Sequence, residues 1–172
     1  MEFKIGDCVV HPAHGVGFIV RLEEKSFFGD QTRLYFEVST QKSTVWVPVE
    51  IDRHINLRPV TDKNELTRYR RLLKARPNAL NEDHRKRQTE LNEQLRLGSF
   101  KIRCEIVRDL TARSWYKSLN DADSTCLRKA YEDLCQEWAT AEGISISEAN
   151  QEIETLLQET RLLFRNADHH QV

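Results

Sequence analysis

The chain has 172 residues, 39% of them hydrophobic, which is enough for one medium domain or two small ones and excludes disorder throughout. A formal net charge of -1 excludes attraction of nucleic acid by the molecule as a whole, so any such affinity has to arise from a local basic patch. No apolar run approaches the roughly 20 residues of a membrane helix, and Met1 leads straight into a charged, strand-like segment, so a soluble, cytoplasmic protein with no membrane partner is expected. Cys8, Cys104, Cys126 and Cys135 are scattered without a Cys-x-x-Cys pair, and reduced, mostly buried thiols follow.

Up to about Val60 the pattern has period two. A short apolar run at Cys8 to Val10 stops at Pro12, turns through Ala13, His14 and Gly15, and resumes as a strand in which Phe18, Val20 and Leu22 are expected to share one face. Gly15 and Gly17 suit a sharp bend or a close approach of two backbones. Gly29-Asp30 after Phe28 marks a hairpin, Leu34, Phe36 and Val38 alternate, and Thr40 to Ser43 turns again. Val45, Val47 and Val49 form a strand whose other face carries Trp46, Pro48 suits an edge, and Ile55 and Leu57 supply a short last strand. Five short strands in about sixty residues predict a small, strongly bent barrel.

The period changes at Pro59. Asp62-x-x-Glu65 reads as a capping box before Leu66, Tyr69 and Leu73, and Pro77 breaks that helix. Asn81, Glu82 and Asp83 open a second helix that ends at Gly98, and Ser99 opens a third with Phe100, Cys104, Val107 and Leu110 inward. Leu127, Ala130, Tyr131, Leu134 and Trp138 make the core stripe of a fourth, with Glu132, Asp133 and Glu137 placed on its wet side. Gly143 ends it. Ser145-x-x-Glu148 caps a fifth carrying Ala149, Ile153, Leu156 and Leu157, and the tail 166–172, with His169 and His170, is expected to fray. The fold class is therefore α+β, a β module over 1–60 followed by a bundle of about five helices over 61–165.

No phosphate-cradling glycine loop, nucleophile elbow or metal-ligand motif is present, so neither an enzyme nor a cofactor is expected. His11-x-x-His14 offers two imidazoles at a β corner with no third ligand of suitable spacing, and hydrogen bonding within the turn accounts for them. The densest basic run is His84-Arg85-Lys86-Arg87, in a stretch that also holds Arg68, Arg70, Arg71, Lys74, Arg76, Arg96, Lys101 and Arg103, whereas residues after Asp121 are rich in acids. The basic half is either a solvated helix face or a phosphate-binding one. Four cations on phosphates would give a log-log salt slope of about -3.6, the signature of weak, largely non-specific binding. Trp46, opposite Val45 and Val47, is either a partner anchor or packed against the helices.

The opening residues Phe3, Gly6, Asp7, Val9, Val10, Pro12, His14 and Gly15, the Val47-Pro48 pair, and the run Ile106-Val107-Arg108-Asp109-Leu110 resemble the CarD/CdnL family of bacterial transcription regulators, whose polymerase-interacting module also occurs in transcription-repair coupling factors. The resemblance implies a Tudor-like barrel that binds the β subunit of RNA polymerase and a helical domain that touches promoter DNA at the upstream edge of the transcription bubble. It places the polymerase contacts at Lys25, Phe27 and Trp46, with Trp46 standing where a well-known relative has an Arg. It places His84 at the position of the family's DNA-wedging Trp, and Lys86 and Arg87 at its phosphate-contacting pair. With Arg85, Lys101 and Arg103 these make the expected DNA face of a monomer. The alternative is an adaptor that binds polymerase or another protein without a functional DNA contact.

Overall fold

The computed structural model describes residues 3–27, 29, 32–49 and 57–165, so the expectations at Phe28, Asp30, Ile55, His169 and His170 fall outside the described residues. The chain divides into two compact units, Met1–Val60 and Thr61–Val172.

Among the described residues the first unit has five strands, β1 (Cys8–His11), β2 (Gly15–Lys25), β3 (Arg33–Thr40), β4 (Thr44–Pro48) and β5 (Arg58–Pro59). They form one antiparallel sheet in the order β4-β3-β2-β1-β5. This overturns the expected barrel, Tudor-like or otherwise: β4 and β5 are the two edges, and no ladder joins them among the described residues. The physical reason lies in β5, which offers only Arg58 and Pro59 for pairing, and Pro59 has no amide hydrogen to donate to a closing strand.

The register also corrects the reading of β2. Ile19 pairs with Val38 and Arg21 with Glu37, so the ladder skips at Val20, a β-bulge that reverses the alternation. Ile19 is buried on the core face, and Leu22, opposite Phe36, returns to that same face, whereas Phe18, opposite Ser39, lies on the other. Phe18, Val20 and Leu22 therefore do not share a face, as strict alternation predicts. The core face gathers Val9, Ile19, Phe36, Val38 and Val47, with Phe3, Val45, Val49 and Leu57 packed against them. Trp46, opposite Glu37, is on the outer face.

The second unit begins with a 3-10 turn at Lys63–Glu65, which Asp62 caps by accepting the Asn64 N–H at 2.7 Å. Five helices follow among the described residues: α1 (Leu66–Lys74), α2 (His84–Arg96), α3 (Phe100–Ser114), α4 (Asp121–Glu142) and α5 (Ile146–Arg165). Three of the expected caps form: Asp83 accepts the amides of Arg85 and Lys86 at the start of α2, Gly143 closes α4 at φ 78°, and Ser145 and Glu148 exchange hydrogen bonds at the start of α5, whereas Ser99 precedes α3 without a side-chain capping hydrogen bond. One core contains Leu66, Tyr69, Leu73, Leu91, Phe100, Cys104, Val107, Leu110, Ala130, Leu134, Trp138, Ala149, Ile153 and Leu157. At its centre the Phe100 ring lies 4.7 Å from Tyr69, edge to face, and 6.2 Å from Trp138.

Gly17, within β2, shows where the close approach of β3 needs glycine. A Cβ built there would lie 2.8 Å from both the Ser39 carbonyl oxygen and Val38 Cγ1, closer than van der Waals contact allows. Gly17→Ala is expected to cost about 1–3 kcal/mol, read as a lowered urea midpoint with an unchanged slope.

Candidate functional site

The outer face of the sheet brings the three expected docking residues together. Register places Arg21, Glu23, Tyr35, Glu37 and Trp46 on this face. Lys25 Nζ lies 3.7 Å from the centroid of the Trp46 ring and 3.3 Å from Glu23 Oε2, so its charge is held between an aromatic face and a carboxylate. Phe27, 48% exposed, packs edge to face on Tyr35 with ring centroids 5.1 Å apart. Arg21 bridges Glu23 at 3.0 Å and Glu37 at 3.5 Å, completing a charged row beside the rings. The Glu23 carboxyl sits below its ordinary range because Arg21, and then Lys25, donate to it. The result is a one-sided surface with a cation clamped on indole and two further rings beside it. Tyr35 was not singled out from the sequence, although its i+2 spacing from Glu37 in β3 put it opposite Phe36 and hence outward.

The expected basic face of the helical unit is only partly assembled. His84, Arg85 and Lys86 are exposed in the first turn of α2, and Lys101 is exposed on α3, within 3.5 Å of Glu105. With 13 residues, α2 is about 20 Å long, and Lys101 follows its far end, so the basic groups form two separate spots and not one stripe.

Arg87 and Arg103 correct the expectation: both are interior. Arg87, 3% exposed, holds Asp123 through Nη2 at 2.7 Å and Nε at 3.1 and 3.2 Å, and donates Nη1 to the Asn81 carbonyl at 2.6 Å. Arg103, 2% exposed, lies 3.6 Å from Glu137 and 3.8 Å from Asp133. These two acids, expected on the wet side of α4, are themselves buried, and Glu137 also accepts the amide and hydroxyl of Thr61 at 3.1 and 2.9 Å. Charge buried this deeply persists only with partners, which is what these contacts supply. A signal was present in the sequence. Ala130, Asp133, Leu134, Glu137 and Trp138 follow the i, i+3, i+4, i+7, i+8 spacing of a buried stripe, and Phe100, Arg103, Cys104 and Val107 do the same.

The family-like run 106–110 is likewise interior. Arg108 bonds Asp109 at 2.7 Å and reaches the Leu72 carbonyl at 3.3 Å, while Asp109 accepts the Asn78 amide at 2.9 Å, tying α3 to the end of α1 and the segment after it. Arg113 grips Glu82 at 3.0 and 3.2 Å, and Lys117 meets the same carboxylate at 2.9 Å, which pulls the Glu82 pKa down from 4.5 to about 2.

The His11 and His14 rings meet at a tilt of 59° with centroids 4.7 Å apart, and His11 Nδ1 accepts the Ala13 amide at 3.1 Å. Burial first, and then His14, lower the His11 pKa, which favours the neutral ring. No group of three or more metal-ligating side chains occurs among the described residues, and no helix among them is long and apolar enough to cross a membrane.

Separating structural from surface cations gives a direct expectation. Asp123→Ala strands the Arg87 guanidinium in the interior and is expected to cost about 3–5 kcal/mol in chemical denaturation. Arg85→Ala and Lys86→Ala, at exposed positions, are expected to stay within about 0.5 kcal/mol of the parent.

Two family models match the chain, one over each unit. Residues 3–61 match the CarD-like/TRCF RID domain, and residues 69–154 match the CarD C-terminal domain. Among curated proteins the chain is similar to "Putative transcription factor YdeB" of Bacillus subtilis (strain 168), at 31% identity over 144 residues, 83% of this chain and 94% of the relative. With both halves matched in order, the chain belongs to the CarD/CdnL family, non-catalytic transcription regulators whose role lies in interaction with RNA polymerase.

Proposed function

We propose that the protein docks on the β subunit of RNA polymerase through the outer face of its sheet, with Lys25, Phe27 and Trp46 as contacts, and lays His84, Arg85 and Lys86 against promoter DNA. The observation that carries the docking half is the Lys25–Trp46 pair, a cation seated on an indole face beside the exposed Phe27. Aromatic anchors of this kind concentrate interface energy, and a cation already held in place loses little entropy on binding. Contacts to DNA that are better in one promoter state than in the other would shift the balance between closed and open complexes.

The DNA half rests on fewer groups than the sequence suggests. With Arg87 and Arg103 committed to the interior, Arg85, Lys86 and Lys101 are the cations left from the expected set. Contact by all three gives a salt slope of about -2.7. His84 offers less apolar area than an indole, so backbone contact is favoured over insertion between base pairs. The interior arginines are also the observation that favours the second reading, an adaptor without functional DNA contact.

Trp46→Ala is expected to weaken capture of the full chain by the polymerase β subunit about 30-fold, the equivalent of about 2 kcal/mol, measured by biolayer interferometry. Unchanged affinity would remove the docking face. For the DNA half, Arg85→Glu with Lys86→Glu is expected to reduce affinity for promoter DNA and flatten the salt slope by about 2. A slope identical to the parent's would favour the adaptor.

A further inference from the structure

Lys25 and Trp46 meet across an intervening strand. Lys25 belongs to β2 and Trp46 to β4, with β3 between them in the sheet, yet the ammonium ends 3.7 Å from the centre of the ring. The attraction of a cation to an exposed indole is smaller than the rotamer freedom a lysine gives up when it is fixed, so the ring alone does not hold Lys25. Arg33, directly opposite Lys25 in the β2–β3 ladder, adds a like charge beside the root of the side chain.

Glu23 supplies the missing tether. In the ladder it stands opposite Tyr35, one row closer than Lys25 to the row that holds Arg21, Glu37 and Trp46, so it lies on the way from Lys25 to the indole. Its two oxygens are divided between two cations: Oε2 is 3.3 Å from Lys25 Nζ, and Oε1 accepts Arg21 Nη1 at 3.0 Å. Arg21 is held in turn by Glu37 at 3.5 Å, and Glu37 is the residue opposite Trp46. The row therefore closes on itself around the ring, and among the described contacts Glu23 is the carboxylate that touches both cations.

We propose that Glu23 is a positioning residue of the docking face: it holds Lys25 on the Trp46 ring, so that the partner protein meets one preset arrangement of cation and indole. The proposal rests on the docking half of the proposed function and adds to it the residue that sets the geometry. Lys25 and Trp46 touch the partner, whereas Glu23 acts through Lys25. With the cation ordered before the partner arrives, the cost of fixing it falls on folding and not on binding.

The test uses the full chain and the polymerase β subunit, with two readouts. The first is the NMR shift of the Lys25 ε-methylene protons, which the indole face displaces upfield while Lys25 lies on it. Glu23→Gln keeps the shape and removes the charge, and it is expected to return that shift most of the way to its value in Trp46→Ala. The second readout is β-subunit capture. Glu23→Gln is expected to weaken it about 2- to 12-fold, the range for one long side chain that must then be ordered on binding, and to have no further effect in Lys25→Met. Such non-additivity is what action through Lys25 requires. Thermal melting of Glu23→Gln is expected to match the parent, because its ion pairs are at the surface. An unchanged Lys25 shift in Glu23→Gln overturns the proposal, since the ring then holds the cation unaided. An equal loss of capture in the parent and in Lys25→Met gives Glu23 its own contact with the partner and also overturns it. A Lys25 shift lost with capture intact, while Trp46→Ala still weakens capture, removes the positioning role and leaves the docking face standing. If neither Trp46→Ala nor Lys25→Met affects capture, the docking face itself fails and the proposal falls with it.

Discussion

The helical unit depends on how α3 keeps its charge in the interior. Arg103, Arg108 and Arg113 sit at five-residue intervals, so they leave the helix in three directions, and each is drawn to a different element. Arg103 meets Asp133 and Glu137 of α4, Arg108 reaches the last turns of α1, and Arg113 takes Glu82 ahead of α2. Apolar packing around Phe100, Val107 and Leu110 supplies most of the favourable free energy, but it is non-directional. The guanidinium pairs add direction, because a helix rotated or slid out of register would leave a buried charge without its partner.

Much of the electrostatics that looks available for nucleic acid is thereby removed from the surface. Arg87 repeats the pattern on α2, fixing the first turn of that helix against Asp123. The same contact that withdraws Arg87 from solvent anchors the backbone turn that carries the exposed His84, Arg85 and Lys86.

The sheet follows a different logic. Its core face is small and apolar, while its outer face is a network of Arg21, Glu23, Lys25 and Glu37 around Trp46 and Tyr35. The bulge at Val20 connects the two: by adding one residue it lets Ile19 stay in the core while Arg21 and Glu23 turn outward beside Trp46. Without it, the apolar and charged sets of β2 would exchange faces.

Sequence alone determined what is local. Period-two and period-3.6 patterning located the β unit and the helices, and Asp83, Gly143 and the Ser145–Glu148 pair announced helix ends because capping is a matter of three or four neighbouring residues. Opposition of Trp46 to Val45 and Val47 was legible for the same reason. The open sheet was not legible, because closure depends on whether two distant edges meet, and neither was the bulge, which appears only when β2 is set against β3. Only the tertiary structure decided the fate of the cations. Asp123 is 36 residues from Arg87 and Glu137 is 34 from Arg103, so a charge that reads as surface along the chain becomes interior once its partner arrives through space.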